Sequence, residues 1–116
     1  MEAEETALQD RLKAVKKEIG KLGEVRPGRL SEQWNVCGQA QCACKDPVTP
    51  RKHGPYWVLS WAHKGKGSSE FVHVEDLERI RRQVDDYRRL RELRDEWVDI
   101  CLELARLRRA RRKAAR

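Results

Sequence analysis

The sequence predicts an α+β fold in which a small antiparallel β-sheet, built around a hairpin, lies between a short N-terminal helix and a long C-terminal helix. Three observations predict it. Apolar residues recur at steps of three and four near both ends of the chain, the middle alternates with a period of two, and the stretch from Trp34 to Trp61 gathers three of the four cysteines, prolines and tryptophans. These features divide the chain into residues 1–26, an amphipathic helix, residues 27–74, a knuckle with a hairpin, and residues 75–116, a long helix ending in a basic tail.

At the N-terminal end, Thr6 and Gln9 have the spacing of a capping box after a short acidic start. Leu8, Leu12, Val15, Ile19 and Leu22 then form an a/d seam. Gly23 and Pro27-Gly28 supply the stop signals. Lys13, Lys16 and Lys17 read as a solvated helix face. From Arg29 to Val36, Leu30, Trp34 and Val36 share one parity and predict a short first strand. A clearer strand spans Tyr56 to Ala62, with Trp57, Leu59 and Trp61 on one face and Tyr56, Val58 and Ser60 on the other. After the loop H-K-G-K-G-S, residues Ser69 to Val74 complete a hairpin. A sheet this small is marginal alone and needs a helix across its tryptophan face.

From Glu75 to Lys113 no Gly or Pro interrupts the chain, and a helix over that range is roughly 58 Å long at 1.5 Å per residue. Leu77, Ile80, Val84, Tyr87, Leu90, Leu93, Trp97, Ile100, Leu104 and Leu107 keep steps of three and four, with consecutive threes around Leu90 that resemble a stammer. The two helices are expected to pair as a helical hairpin or coiled coil. Because the first helix covers only about half of the second, a stripe with Trp97, Ile100, Leu104 and Leu107 is left exposed in a monomer. The expectation is a homodimer or a larger protein partner bound through the long helix. Cys101, beside that stripe, reads as a small apolar filler.

Between the helices, Cys37, Cys42, Cys44 and His53 offer three thiolates and one imidazole, a complete tetrahedral shell for Zn²⁺. Cys37 closes the first strand and His53 opens the second, so an ion bound there staples neighbouring strand ends. The single residue between Cys42 and Cys44 is tighter than the usual knuckle spacing, and His63 and His73 are alternatives for the fourth ligand. Gly38 and Gly54 each follow a proposed ligand, where positive φ favours a tight turn. Disulfides or a redox cluster are the competing uses of these cysteines. No apolar signal segment opens the chain and no apolar run is long enough to cross a bilayer, so the expected compartment is the cytoplasm, where metal is the commoner use.

The segments L-S-E-Q-W-N-V-C-G from Leu30, C-A-C at Cys42, H-G-P-Y-W-V-L-S-W from His53 and the later R-R-L-R-E-L together resemble a family of small bacterial and archaeal proteins of unknown function. Members carry a C-G-x-x-x-C-x-C segment followed by H-G-P and aromatic residues, which falls on Cys37, Cys42, Cys44, His53, Gly54, Pro55, Tyr56 and Trp57. The resemblance covers roughly residues 28 to 100 and supplies no activity; what it implies is an association with mobile elements.

Charge decides between function classes. The formal charge is +7, and residues 105–116 carry all of it, with Arg106, Arg108, Arg109, Arg111, Arg112, Lys113 and Arg116 and no acid. The leading expectation is a non-enzymatic, zinc-binding accessory protein that holds DNA or RNA phosphates through this arginine-rich tail. Lys64 and Lys66, near Trp61 and Tyr56, offer a second contact, and Arg79, Arg82, Arg88, Arg89, Arg91 and Arg94 extend the first unless they merely solubilise the helix. The alternative is a coiled-coil scaffold whose zinc is purely structural. Catalysis is not expected. His73-Val74-Glu75 lacks the downstream cysteine pair of zinc deaminases, Gly65 and Gly67 lack phosphate-loop spacing, and a closed shell leaves no position for a small-molecule substrate.

Overall fold

The computed structural model describes residues 2–115. Helix α1 (Glu2–Gly20) is followed by strand β1 (Arg29–Asn35), a single 3-10 turn (Ala43–Lys45), strands β2 (His53–His63) and β3 (Lys66–Val72), and helix α2 (Val74–Ala114). The α+β architecture is the expected one. The chain forms two compact units, Met1–Val25 with Asp85–Arg116, and Arg26–Val84. No helix among the described residues is long and apolar enough to cross a membrane.

In the first unit, α1 starts four residues before Thr6, so Thr6 and Gln9 lie inside the helix and form no capping box. Glu2, Glu4 and Glu5 occupy its first turn instead, where carboxylates offset the positive end of the helix dipole. Leu8 and Val15 are buried with Leu93, Ile100, Leu104 and Leu107 of α2, and Leu12, Ile19, Leu22 and Trp97 pack around them. The stripe expected to lie in water is therefore covered by α1, with Ile100 only 1% exposed. That removes the ground on which the exposed stripe called for a dimer. Lys16 lies over the Trp97 ring at 5.2 Å, so this member of the solvated lysine group shields an indole as well. Cys101 is exposed and fills no gap in the core.

Both ends of this helical pair are tied by polar contacts. The Gly23 N–H donates to Asp86 Oδ2 at 3.0 Å just past the end of α1. At the other end Glu5 accepts from Arg108 Nε at 3.1 Å and from Arg111. Arg111 and then Arg108 hold the Glu5 carboxyl below its ordinary range.

The second unit is a three-stranded antiparallel sheet in the order β1-β2-β3. Strands β2 and β3 are joined by a two-residue turn, Lys64-Gly65, tighter than the loop expected from sequence, because both residues take positive φ (51° and 78°) and so match the twist of the flanking strands. Register sets the two faces. Leu30 pairs with Leu59, and Trp57 pairs with Val72, so these side chains share the face covered by Leu77, Ile80 and Val84 of α2. The rings at the margin of this core are roofed by cations, Arg26 at 5.1 Å over Trp61 and Arg81 at 4.9 Å over Trp57. The long apolar stripe of α2 thus belongs to two cores, and the consecutive steps of three around Leu90 fall between Val84 of one and Leu93 of the other.

Candidate metal centre

Sheet register brings the ligand groups together. Asn35 pairs with His53 after a register shift between Gln33 and Asn35, so Cys37, two residues beyond β1, arrives beside the start of β2. Cys42 is extended (φ −71°, ψ 144°) and directly precedes the 3-10 turn that carries Cys44. This change of conformation is what lets ligands one residue apart converge. The Lys45 N–H donates to the Cys42 carbonyl at 3.0 Å, and the Arg51 N–H to the Ala43 carbonyl at 3.0 Å, closing the loop on itself. Asp46 Oδ1 accepts from the N–H groups of Val48 (2.9 Å) and Thr49 (3.3 Å), which fixes the turn at Pro47 and holds this carboxyl below its ordinary range.

One ligand atom from each of Cys37, Cys42, Cys44 and His53 lies within 4.8 Å of all the others. The Cys37–Cys44 Sγ separation is 3.6 Å, and Cys42 Sγ lies 3.2 Å from His53 Nε2. A tetrahedron with metal–sulfur bonds near 2.3 Å and metal–nitrogen bonds near 2.0 Å has edges of about 3.6 Å, against about 2.05 Å for a disulfide bond. All four cysteines are free thiols. The four groups therefore lie close enough to bind one metal ion, and His53 is the imidazole among them. His63 lies at the far end of β2 and His73 directly precedes α2, and neither belongs to the cluster.

Hydrogen bonding prepares the thiols unequally. The Gln39 backbone and then His53 pull Cys37 down from the ordinary thiol range, while the Cys44 backbone and the thiols of Cys44 and Cys37 pull Cys42 down. The Cys37 N–H, 3.4 Å from Cys44 Sγ, acts in the same direction on Cys44, but burial and the neighbouring thiols outweigh it and push Cys44 up. Three thiolates this close repel one another, and a bound dication removes that penalty.

The two glycines differ. Gly54 has φ +146°, and a Cβ there would lie 2.8 Å from the Gln33 carbonyl oxygen and 3.1 Å from the Trp34 ring. Gly38 is not among the positive-φ residues, contrary to expectation, and a Cβ there meets nothing within 4 Å. Gly54→Ala is accordingly expected to displace His53, weakening metal retention at least ten-fold in a competition titration with a chromophoric chelator, whereas Gly38→Ala keeps wild-type affinity. Equal affinities would mean that the His53 backbone is not what sets the site.

The basic candidates are dispersed. Lys64 sits in the hairpin turn and Lys66 pairs with His63; Tyr56 is on the opposite face and at the opposite end of β2 from Trp61, so these lysines and both rings make no single patch. Arg106, Arg108, Arg109, Arg111, Arg112 and Lys113 lie on the last turns of α2, while Arg116 falls outside the described residues. The tail is not wholly without acidic partners, because Glu5 pairs with Arg108 and Arg111, and Glu103 with Arg106. Glu103 is held below, and Arg106 above, its ordinary range by that pair. Arg109, Arg112 and Lys113 have no ion pair among the described residues. Further up α2, Arg79, Arg88, Arg89 and Arg94 each pair with a carboxylate at most three positions away, as expected of a helix kept soluble by alternating charge.

Next to the cluster is a cleft of about 300 Å³ lined by Asn35, Val36, Cys37, His53, Tyr56 and Phe71. Tyr56 belongs to the H-G-P-aromatic segment, whereas Phe71 is singled out by no motif. The register that sets Phe71 opposite Val58 puts both rings on the face opposite Trp57, Leu59 and Trp61, and alternation within each strand is the signal that marks them.

A family model described as Domain of unknown function (DUF6788) matches residues 5–82, a span that includes all four members of the cluster. No curated protein and no solved structure matches the chain.

Proposed function

Since the chain belongs to DUF6788, a family whose description assigns no activity, we propose a function from the chain's own geometry: a non-enzymatic, zinc-stapled nucleic-acid-binding accessory protein that holds phosphates through the C-terminal turns of α2. Zinc is the metal because three sulfurs and one imidazole nitrogen are the donors it favours in closed structural sites. The observation that carries the nucleic-acid reading is the set Arg109, Arg112 and Lys113, exposed within two turns of α2 and without carboxylate partners among the described residues. Positions three and four apart on a helix share a face, so these cations can follow a phosphate backbone together. Arg106, Arg108 and Arg111 contribute less, because each already serves a carboxylate.

Fluorescence anisotropy with labelled DNA and RNA across a salt series tests this. Wild-type protein should bind with a slope of log K against log salt of roughly −3 to −5 on duplex DNA, and the triple variant Arg109→Gln, Arg112→Gln, Lys113→Gln should flatten that slope by about 2 to 3. Substitution is cleaner than truncation, since Leu107 belongs to the helical core. Absence of binding at low salt would sink the reading. The scaffold alternative rests on Val98, Cys101 and Leu102, which are exposed along α2. Light scattering of a stable dimer that Leu102→Glu dissociates would favour it.

A further inference from the structure

The face of the sheet away from α2 carries an aromatic pair, flanking the buried Val58, that the arginine-rich end of α2 does not explain. Phe71 is directly opposite Val58 across the β2–β3 ladder, which makes Tyr56, two residues earlier on β2, its diagonal neighbour on the same face. Diagonal neighbours in an antiparallel pair are about 7–8 Å apart, within reach of one another for aromatic side chains. Tyr56 is 43% exposed and Phe71 72% exposed. Both line the cleft beside the metal centre and a second hollow running to His73 and Val74.

Charge around this face is one-sided. Between Arg26 and His73 there are seven basic side chains and three acidic ones. None of the three acids is free on the open face. Glu32 pairs across the ladder with Trp57 and Glu70 with Leu59, which puts both on the helix-covered side, and Glu70 is also tied to Arg26 at 2.6 Å. Asp46 is occupied by the backbone of its own loop. Arg29, paired with Ser60, lies on the open face, and Arg51 and Lys52 are exposed just before His53, at the cleft end of β2.

We propose that Tyr56 and Phe71 form a stacking platform for the unpaired bases of single-stranded nucleic acid, with Arg51 and Lys52 holding the adjoining phosphates. Two rings presented on an exposed sheet face, bordered by cations and with no strand carboxylate on that face, suit successive bases, whose faces stack without regard to sequence and whose backbone needs positive charge alongside. A duplex keeps its base faces stacked inside and cannot use the platform. The inference rests on the nucleic-acid reading above and adds to it the strandedness of the ligand and a second contact surface.

The test compares a labelled twelve-nucleotide oligo-dT and oligo-U with a duplex of the same length, using full-length metal-loaded protein across a salt series. Tyr56→Ala and Phe71→Ala should each weaken single-strand binding about ten-fold, leave duplex binding unchanged and leave the salt slope in place. Both residues are exposed, so metal content and circular dichroism should match wild type. Tyr56→Phe should retain affinity, and Phe71→Leu, which keeps apolar bulk without a ring, should not. Single-strand affinity unchanged in the Tyr56→Ala, Phe71→Ala double variant, with duplex binding still weakened by the Arg109, Arg112 and Lys113 substitutions, would overturn the platform alone and leave the face to another protein. Failure of wild-type protein to bind any nucleic acid would overturn both.

Discussion

Serine in place of Cys44 is expected to empty the metal centre and release the loop from Val36 to Lys52 while both helices persist. Cys44 is 1% exposed and is the buried residue of that loop, whose other apolar side chains, Val36 and Val48, are exposed. The loop therefore has no apolar core of its own; it is ordered by one 3-10 turn and a few backbone hydrogen bonds, and an ion held by Cys37, Cys42, Cys44 and His53 would supply the rest. Structural zinc contributes about 10–16 kcal/mol in small metal-folded peptides, as much as the whole stability of a typical domain, about 5–15 kcal/mol. Elemental analysis should fall from one zinc per chain to none. Trypsin should then cut rapidly after Lys45, Arg51 and Lys52, and the helical circular dichroism signal should change little. A Cys44→Ser protein that keeps its metal, or that loses it and still resists trypsin in this loop, would show that the loop is held by something else.

Leu59→Ala is expected to produce the largest loss of stability among single core truncations in the sheet unit. Leu59 is 0% exposed, sits on the central strand, and is buried with Val72, Ile80 and Val84 while Leu30, Trp57 and Trp61 pack around the cluster. Truncations of this kind cost about 2–5 kcal/mol, because transfer free energy is lost and the surroundings collapse only partly onto the cavity. Phe71→Ala deletes more atoms on the same sheet but from the exposed face, and should cost about 0.5 kcal/mol or less. Urea denaturation followed by tryptophan fluorescence separates the two. Equal losses would mean that the open face is covered in solution.

The alternation of Trp57, Leu59 and Trp61 was legible because a period of two with large apolar groups admits one buried face, and the structure covers that face with a helix. The cluster of Cys37, Cys42, Cys44 and His53 was legible from donor chemistry, although the tight spacing at Cys42 required a local change from extended chain to turn that spacing alone does not reveal. Partnership was what the periodicity could not give. Steps of three and four along α2 mark a seam but not what covers it, so the division into a sheet-facing part ending at Val84 and an α1-facing part from Leu93 had to come from tertiary packing. Helix and strand ends were missed for local reasons. Acidic residues at the start of α1 replaced the capping box, and Lys64 accepted a left-handed conformation that is uncommon for a lysine.

The ion pairs from Glu5 to Arg108 and Arg111 join residues more than one hundred positions apart. Biosynthesis proceeds from the N-terminus at about 5–20 residues per second, so α1 emerges from the ribosome several seconds before the turns of α2 that bury Leu8. Over that interval its apolar stripe has no native partner and is open to chaperones and to other nascent chains. The sheet unit, drawn from the contiguous segment Arg26–Val84, can complete itself in the meantime. Closure of the helical pair thus waits for the last turns of α2, and a ribosome stalled before Leu93 carries a chain whose sheet can form and whose first helix cannot dock.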